Sequence, residues 1–186
     1  MKIFYISTPK GNLSQIASVY DTIATLGHTH TSDLAVTIRP EIFYKDSDEE
    51  MWRKRYEQRL EEINKSDVCI FEITYPSFGV GQLAQEAIRA EKPVILLYYK
   101  GNPPNFFRGT AQAEKRVQLF EYSEHNLMDV LQYGLTIATD LLTTRFTMLM
   151  PSDMTKYLEK VKTATGLSRS EYIRKLVNEE MKKSHI

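Results

Sequence analysis

The sequence predicts an α/β protein, a mostly parallel sheet with helices on both faces, followed by a short carboxy-terminal unit of different pattern. Two observations predict it. The runs Lys2–Ser7, Asp67–Thr74 and Lys92–Tyr99 are rich in β-branched and aromatic residues and do not alternate with polar ones. Strands buried on both faces read in that way, and helical patterns separate them. After Leu142 the pattern changes to one strand-like alternation and two short helices. The chain has 186 residues, 42% hydrophobic and 26% charged, which suits one ordinary domain with a small appendage and argues against disorder or a fibre.

The elements follow in order. Thr8–Asn12 is a turn-rich segment after the first strand, and a helix is expected from about Leu13 to Leu26, closed by Gly27. A short strand is expected near Thr29–Val36. Acidic residues at 46–50 start a helix on which Trp52, Tyr56, Leu60 and Ile63 recur at helical spacing. The strand around Cys69 is broken by Pro76–Gly81, which feeds a helix through Ala90. Val117–Tyr122 is a fourth strand, and a long helix is expected over about Glu124–Leu142. Ligands of such sheets bind in the loops after the carboxyl ends of the strands, here residues 7–12, 75–82 and 100–109.

Composition excludes several classes. The apolar run Val94–Tyr99 is far short of the roughly 20 residues of a membrane helix, and the amino terminus lacks the pattern of a signal peptide. A cytoplasmic protein without membrane contact is expected. One cysteine, Cys69, excludes an internal disulfide and a cysteine-based zinc cluster, and it reads as a buried thiol. His28-x-His30 has only Asp33 nearby, too few ligands for a metal. No Walker loop or full dinucleotide fingerprint is present, so no cofactor is expected. Residues 145–186 hold nine Lys/Arg against five Asp/Glu, a charge of +4, whereas residues 1–144 carry −4. A basic tail on an acidic body suggests a polyanionic partner for the tail.

In the tail, Arg145–Met150 alternates, with Phe146, Met148 and Met150 on one face and Arg145, Thr147 and Leu149 on the other. Pro151-Ser-Asp opens a helix carrying Met154, Leu158 and Val161, Gly166 closes it, and Ser168-Arg-Ser-Glu171 is a capping box for a second helix. One strand and two helices in about 40 residues bury too little core alone, and pairing with a second chain solves this. Residues 145–182 resemble the ribbon-helix-helix DNA-binding family. The resemblance implies a dimer whose two-stranded ribbon enters the major groove of DNA. Arg145, Thr147 and Leu149 would meet base edges, and Ser168, Arg169 and Ser170 a backbone phosphate. Leu149 departs from the family, where that position is usually polar. The alternative is a unit that only joins two chains.

Residues 70–82, Ile-Phe-Glu-Ile-Thr-Tyr-Pro-Ser-Phe-Gly-Val-Gly-Gln, with Ile63–Val68 and Phe107-Arg-Gly109, resemble the nucleoside 2-deoxyribosyltransferase superfamily, which includes the 2′-deoxynucleoside 5′-phosphate N-hydrolases. The resemblance covers Ile3 to about Leu131 and implies a flavodoxin-like sheet with a nucleotide over the strand ends. Gly79 and Gly81 would allow close backbone approach, and Ser77 offers a hydroxyl at a helix start. Ser7 and Gly11 lie on the same rim. The resemblance also implies a nucleophilic glutamate at position 83 and an aspartate at position 59, but the sequence has Leu83 and Arg59. Glu86 is a substitute candidate, displaced about 4.5 Å along the helix and about 60° around it, or else a solvated helix residue. Arg59 would favour a phosphate or another acidic ligand, or it pairs with Glu62 on its own helix. Trp52, Tyr56 and Tyr75 could stack a base or belong to the core, and Glu72 is a paired buried acid or a pocket residue.

From these readings the expectation is a dimeric DNA-binding regulator, with residues 1–142 as a non-catalytic nucleotide sensor and residues 145–186 on DNA. The alternative is a nucleoside or nucleotide N-glycosidase or deoxyribosyltransferase that uses its tail for dimerisation.

Overall fold

The computed structural model describes residues 1–38, 48–142 and 148–184. The chain forms two compact units, Met1–Thr143 and Thr144–Ile186. In the first, the five parallel strands are β1 (Lys2–Ser7), β2 (Thr29–His30), β3 (Val68–Glu72), β4 (Val94–Tyr99) and β5 (Val117–Tyr122). They lie in the order β2-β1-β3-β4-β5, a flavodoxin-like sheet. β1 pairs with β3 from Ile3↔Val68 to Ser7↔Glu72, and β4 with β5 from Val94↔Val117 to Tyr99↔Tyr122.

Period-two alternation sends the strand side chains into two cores. Ile3, Tyr5, Val68, Ile70, Ile95 and Leu97 pack with α1 (Leu13–Thr25) and α6 (Leu127–Asp140). Phe4, Cys69, Phe71, Val94 and Leu96 pack on the other face with α3 (Glu49–Lys65), α4 (Phe78–Arg89) and α5 (Asn105–Ala113). Because both faces are covered, the central strands read as unbroken apolar runs. Asn12 caps α1 by accepting from the N–H groups of Ser14 and Gln15, at 3.0 and 3.3 Å. Gly27 ends that helix region with a φ of +81°, which favours glycine.

Two elements differ from expectation. β2 stops at His30, and Leu34–Thr37 is a helical turn, α2, in place of a longer strand. Two residues suffice to pair β2 with β1, and Ala35 then turns into the core beside Ile3 and Tyr5. The loop expected over 100–109 gives way at Asn105 to α5, because Phe107 and Ala111 find an apolar face to cover.

In the second unit, α7 (Ser152–Thr165) and α8 (Arg169–Ser184) form a helical pair. Gly166 closes α7 with a φ of +74°. The capping box is complete: the Ser168 hydroxyl accepts from Glu171 N–H at 3.2 Å, and Glu171 accepts from Ser168 N–H at 2.7 Å. Arg145, Phe146 and Thr147 of the expected strand lie outside the described residues, and Met148–Met150 are irregular. Among the described residues no helix is long and apolar enough to cross a membrane.

Two predictions follow from the packing. A Cβ on Gly134 would lie 2.9 Å from Phe120 Cε2 and 3.2 Å from Ile95 Cδ1, so Gly134→Ala should destabilise the protein by about 1–3 kcal/mol in urea titration. The His30 ring stacks on Tyr20, with centroids 3.6 Å apart, and burial holds its imidazole below the ordinary value. A lowered folded pKa stabilises above the unfolded value, about 6.5, and that contribution is lost as pH falls through this range. The melting temperature should drop between pH 7.5 and 5.5, and less in His30→Gln.

Candidate functional site

The strand order reverses between β1 and β3, where the crossovers leave in opposite directions. A cavity of about 720 Å³ opens there, walled by the end of β1, α2, α3 and the start of α4. That volume suits a small organic ligand.

Of the ligand-binding candidates from the sequence, Ser7, Arg59, Ser77 and Gly79 line the cavity. Ser77 caps α4 by accepting from Val80 N–H at 3.4 Å, so the first turn of that helix faces the cavity with its positive dipole end. Ser7 differs in role from the expectation. Its hydroxyl donates to Glu72 at 3.0 Å, in a buried network. Glu72 also accepts from Thr74 N–H at 3.2 Å, from the Thr74 hydroxyl and from Tyr122 Oη at 3.3 Å. Burial, with Glu72 nearby, holds the Tyr122 phenol well above its ordinary value, so it stays a donor. Glu72 is thus the paired buried acid of the two readings.

Gly11 and Gly81 are not among the cavity's lining. Gly11 is needed for close packing, since a Cβ there would lie 3.0 Å from Ile16 Cδ1 and 3.2 Å from Thr8 O. Gly81 lies in a second groove, between α4 and α5, with Phe107. Glu86 lines that second groove as well and pairs with Arg89 at 2.8 Å. Its rotation around α4 carries it away from the cavity, which Leu83 lines in its stead.

Arg59 is 8% exposed. Its Nη2 pairs with Glu62 Oε1 at 2.9 Å, and its Nη1 donates to Ser32 Oγ at 3.1 Å. Of the outcomes weighed for Arg59, the pairing with Glu62 is present, and the side chain also lines the cavity. Burial pushes the Glu62 carboxyl up from its ordinary value against the pull of Arg59, and pushes the Arg59 guanidinium down. Trp52 and Tyr56 line the cavity, whereas Tyr75 does not. The Arg55 guanidinium lies over the Trp52 ring, 5.0 Å from its centroid. Arg55, Gln58 and Gln82 also line the cavity and were missed from the sequence. Arg55 and Tyr56 precede Arg59 by four and three residues, a spacing that shows the shared face of α3 once that face is known to be open. Among the described residues the lining holds two arginines and no carboxylate, and no group of histidine, cysteine and acids could hold a metal.

No family model matches the chain, and no curated protein matches it. Solved structures do. A CMP N-glycosidase from Clostridium botulinum has a TM-score of 0.50 at 16% identity, over 72% of this chain and 99% of that one. A 2-deoxyribosyltransferase from Bacillus psychrosaccharolyticus has a TM-score of 0.54 at 17% identity, over 79% of this chain and all of that one. The chain shares their fold.

These likenesses correct the expected DNA-binding regulator. The fold that spans most of the chain is the one found in solved structures named as a CMP N-glycosidase and a 2-deoxyribosyltransferase. The described part of the second unit adds nothing for DNA. Arg145 and Thr147 lie outside it, Leu149 is 98% exposed in irregular chain, and the Arg169 guanidinium is taken up by an ion pair with Glu159. The Ser168 hydroxyl is spent on the capping box, and Ser170 is an exposed residue of the first turn of α8.

Replacing Glu72 by leucine leaves the buried donors of Ser7, Thr74 and Tyr122 without their acceptor. At about 1–3 kcal/mol for each group stranded, Glu72→Leu should cost at least about 2 kcal/mol in chemical denaturation.

Proposed function

We propose that the first unit is an enzyme that breaks or transfers the N-glycosidic bond of a nucleoside or nucleotide, and that the second unit joins two chains. The cavity at the strand-order reversal carries this reading, since α3 brings aromatic rings and guanidinium groups together there. Trp52 and Tyr56 offer faces on which a base stacks. Arg55, Arg59 and the start of α4 at Ser77 and Gly79 favour a ligand with negative charge. The two solved structures of this fold are named for CMP N-glycosidase and 2-deoxyribosyltransferase activity, which supports the same class of reaction.

The chemistry follows from the residues. As the C1′–N bond breaks, the electron pair leaves with the base, the oxygen of water or of an acceptor hydroxyl bonds to C1′, and the proton that this oxygen loses goes to the released base. Leu83 offers the sugar no carboxylate. A guanidinium is suited to the other partner, since Arg59 donating to the departing base stabilises the charge that develops on it. Glu62 and Glu72 stand behind the lining and act on a ligand through the side chains they hold, Arg59 and Ser7.

For the second unit, Met154, Tyr157, Leu176, Val177 and Met181 are exposed apolar residues on α7 and α8, a surface that a second copy would cover. Sedimentation should find a dimer.

The decisive assay incubates the protein with deoxynucleosides, ribonucleosides and their 5′-monophosphates and follows free base by chromatography. Base should be released from at least one compound, and Arg59→Lys, which keeps the charge but loses the planar fork, should slow release about 100-fold. A folded protein that releases no base from any compound would contradict the proposal.

A further inference from the structure

α3 contributes two adjacent polar side chains to the cavity, Gln58 and Arg59. Glu62, one turn further along the same helix, holds both while staying out of the lining itself. Its Oε1 accepts from Gln58 Nε2 at 3.2 Å and from Arg59 Nη2 at 2.9 Å. Glu62 and Arg59 are each 8% exposed, so their ion pair is largely shielded from water, whereas Gln58 lies at the exposed edge of the junction. Arg59 is tied from the other side as well: Ser32 Oγ accepts from its Nη1 at 3.1 Å and from Leu34 N–H at 3.2 Å. Leu34 begins α2, which forms a further wall. One carboxylate thereby sets two ligand-facing groups against a fixed frame.

The hydrogen-bond inventory decides what those groups can offer. An ionised carboxylate only accepts, so the amide nitrogen of Gln58 is the atom turned to Glu62, and its carbonyl oxygen is left for a ligand. The guanidinium of Arg59 only donates. The two residues together offer an acceptor beside a donor. The hydrogen-bonding edge of a nucleobase carries the complement, an N–H donor beside a carbonyl or ring-nitrogen acceptor. A phosphate only accepts, and sugar hydroxyls, which rotate and both donate and accept, do not fix a donor beside an acceptor in one plane as a base edge does.

We propose that Glu62 is a positioning residue that presents Gln58 and Arg59 as an acceptor–donor pair for the edge of a nucleobase. The inference rests on the reading of the cavity as a nucleotide site, and it assigns the α3 wall to the base and the start of α4 to the sugar and its phosphate. Base preference then depends on a side chain that does not touch the base. Removing the charge of Glu62 frees the Gln58 amide to turn over, which exchanges acceptor for donor at the same place.

The test is calorimetric titration of the full chain with the four ribonucleoside 5′-monophosphates and with ribose 5-phosphate, which has no base. Glu62→Gln should weaken the preferred nucleotide about tenfold, bring the four nucleotides towards one affinity, and leave ribose 5-phosphate unchanged. Gln58→Met, at an exposed position where folding is not at stake, should lower nucleotide affinity, flatten the base preference in the same way and leave ribose 5-phosphate unchanged. Equal weakening of ribose 5-phosphate and nucleotides, or unaltered base preference in both variants, would overturn the role of Glu62 and leave the nucleotide site standing. Wild-type protein that binds no nucleotide at all would overturn both. Wild-type binding without base release would count against the proposed reaction alone.

Discussion

The reversal of strand order at β1 and β3 is the constraint on which the rest of the molecule depends. All five strands run parallel, so every connection crosses a face of the sheet, and both faces are buried under helices. Where neighbouring crossovers part company, no helix covers the carboxyl ends of the strands. The cavity opens at that place because the connectivity leaves it open, and the lining is whatever α2, α3 and the start of α4 turn toward it. A substitution on α3 or at the start of α4 can therefore alter the lining of the cavity with little change to the sheet.

The polar interior is arranged in two layers around this opening. Glu72 anchors the end of β3 to β1 and β5 through Ser7 and Tyr122, a network on the α1 side of the sheet. Glu62 does the corresponding work on the α3 side, through Arg59, Gln58 and Ser32. Neither carboxylate lines the cavity, yet each fixes a residue that does. Among the described residues the charged side chains that line the cavity are Arg55 and Arg59, and the acids Glu62 and Glu72 stand behind it.

Much of the fold was legible because burial on two faces leaves a plain mark. β1, β3 and β4 read as unbroken apolar runs, and the helical spacing of Trp52, Tyr56 and Ile63 gave α3. α2 and α5 were not legible: Leu34–Thr37 is one turn, too short for a period, and Pro103-Pro104 with Gly109 disguised a helix as a loop. At the site, Ser77, Gly79 and Arg59 were found through their motif and their departure from it. Gln58 and Gln82 were missed because a glutamine on a helix reads as solvated until the neighbouring wall is known. The tie of Ser7 to Glu72 was not legible, since the partner that takes its hydroxyl is 65 residues away. The tail suggested DNA through its charge, but the Arg169 guanidinium is committed to Glu159 within its own unit, a pairing that net charge does not reveal.

The central claim is that substrate lies over the carboxyl ends of β1 and β3, between α3 and α4. A crystal structure of the protein soaked with a nucleoside 5′-monophosphate tests it most directly. The account predicts the nucleotide in the cavity, with its base against Gln58 and Arg59 and its phosphate at Ser77 and Gly79. A nucleotide bound in the other groove, beside Phe107 and Glu86, with the cavity empty, would contradict it.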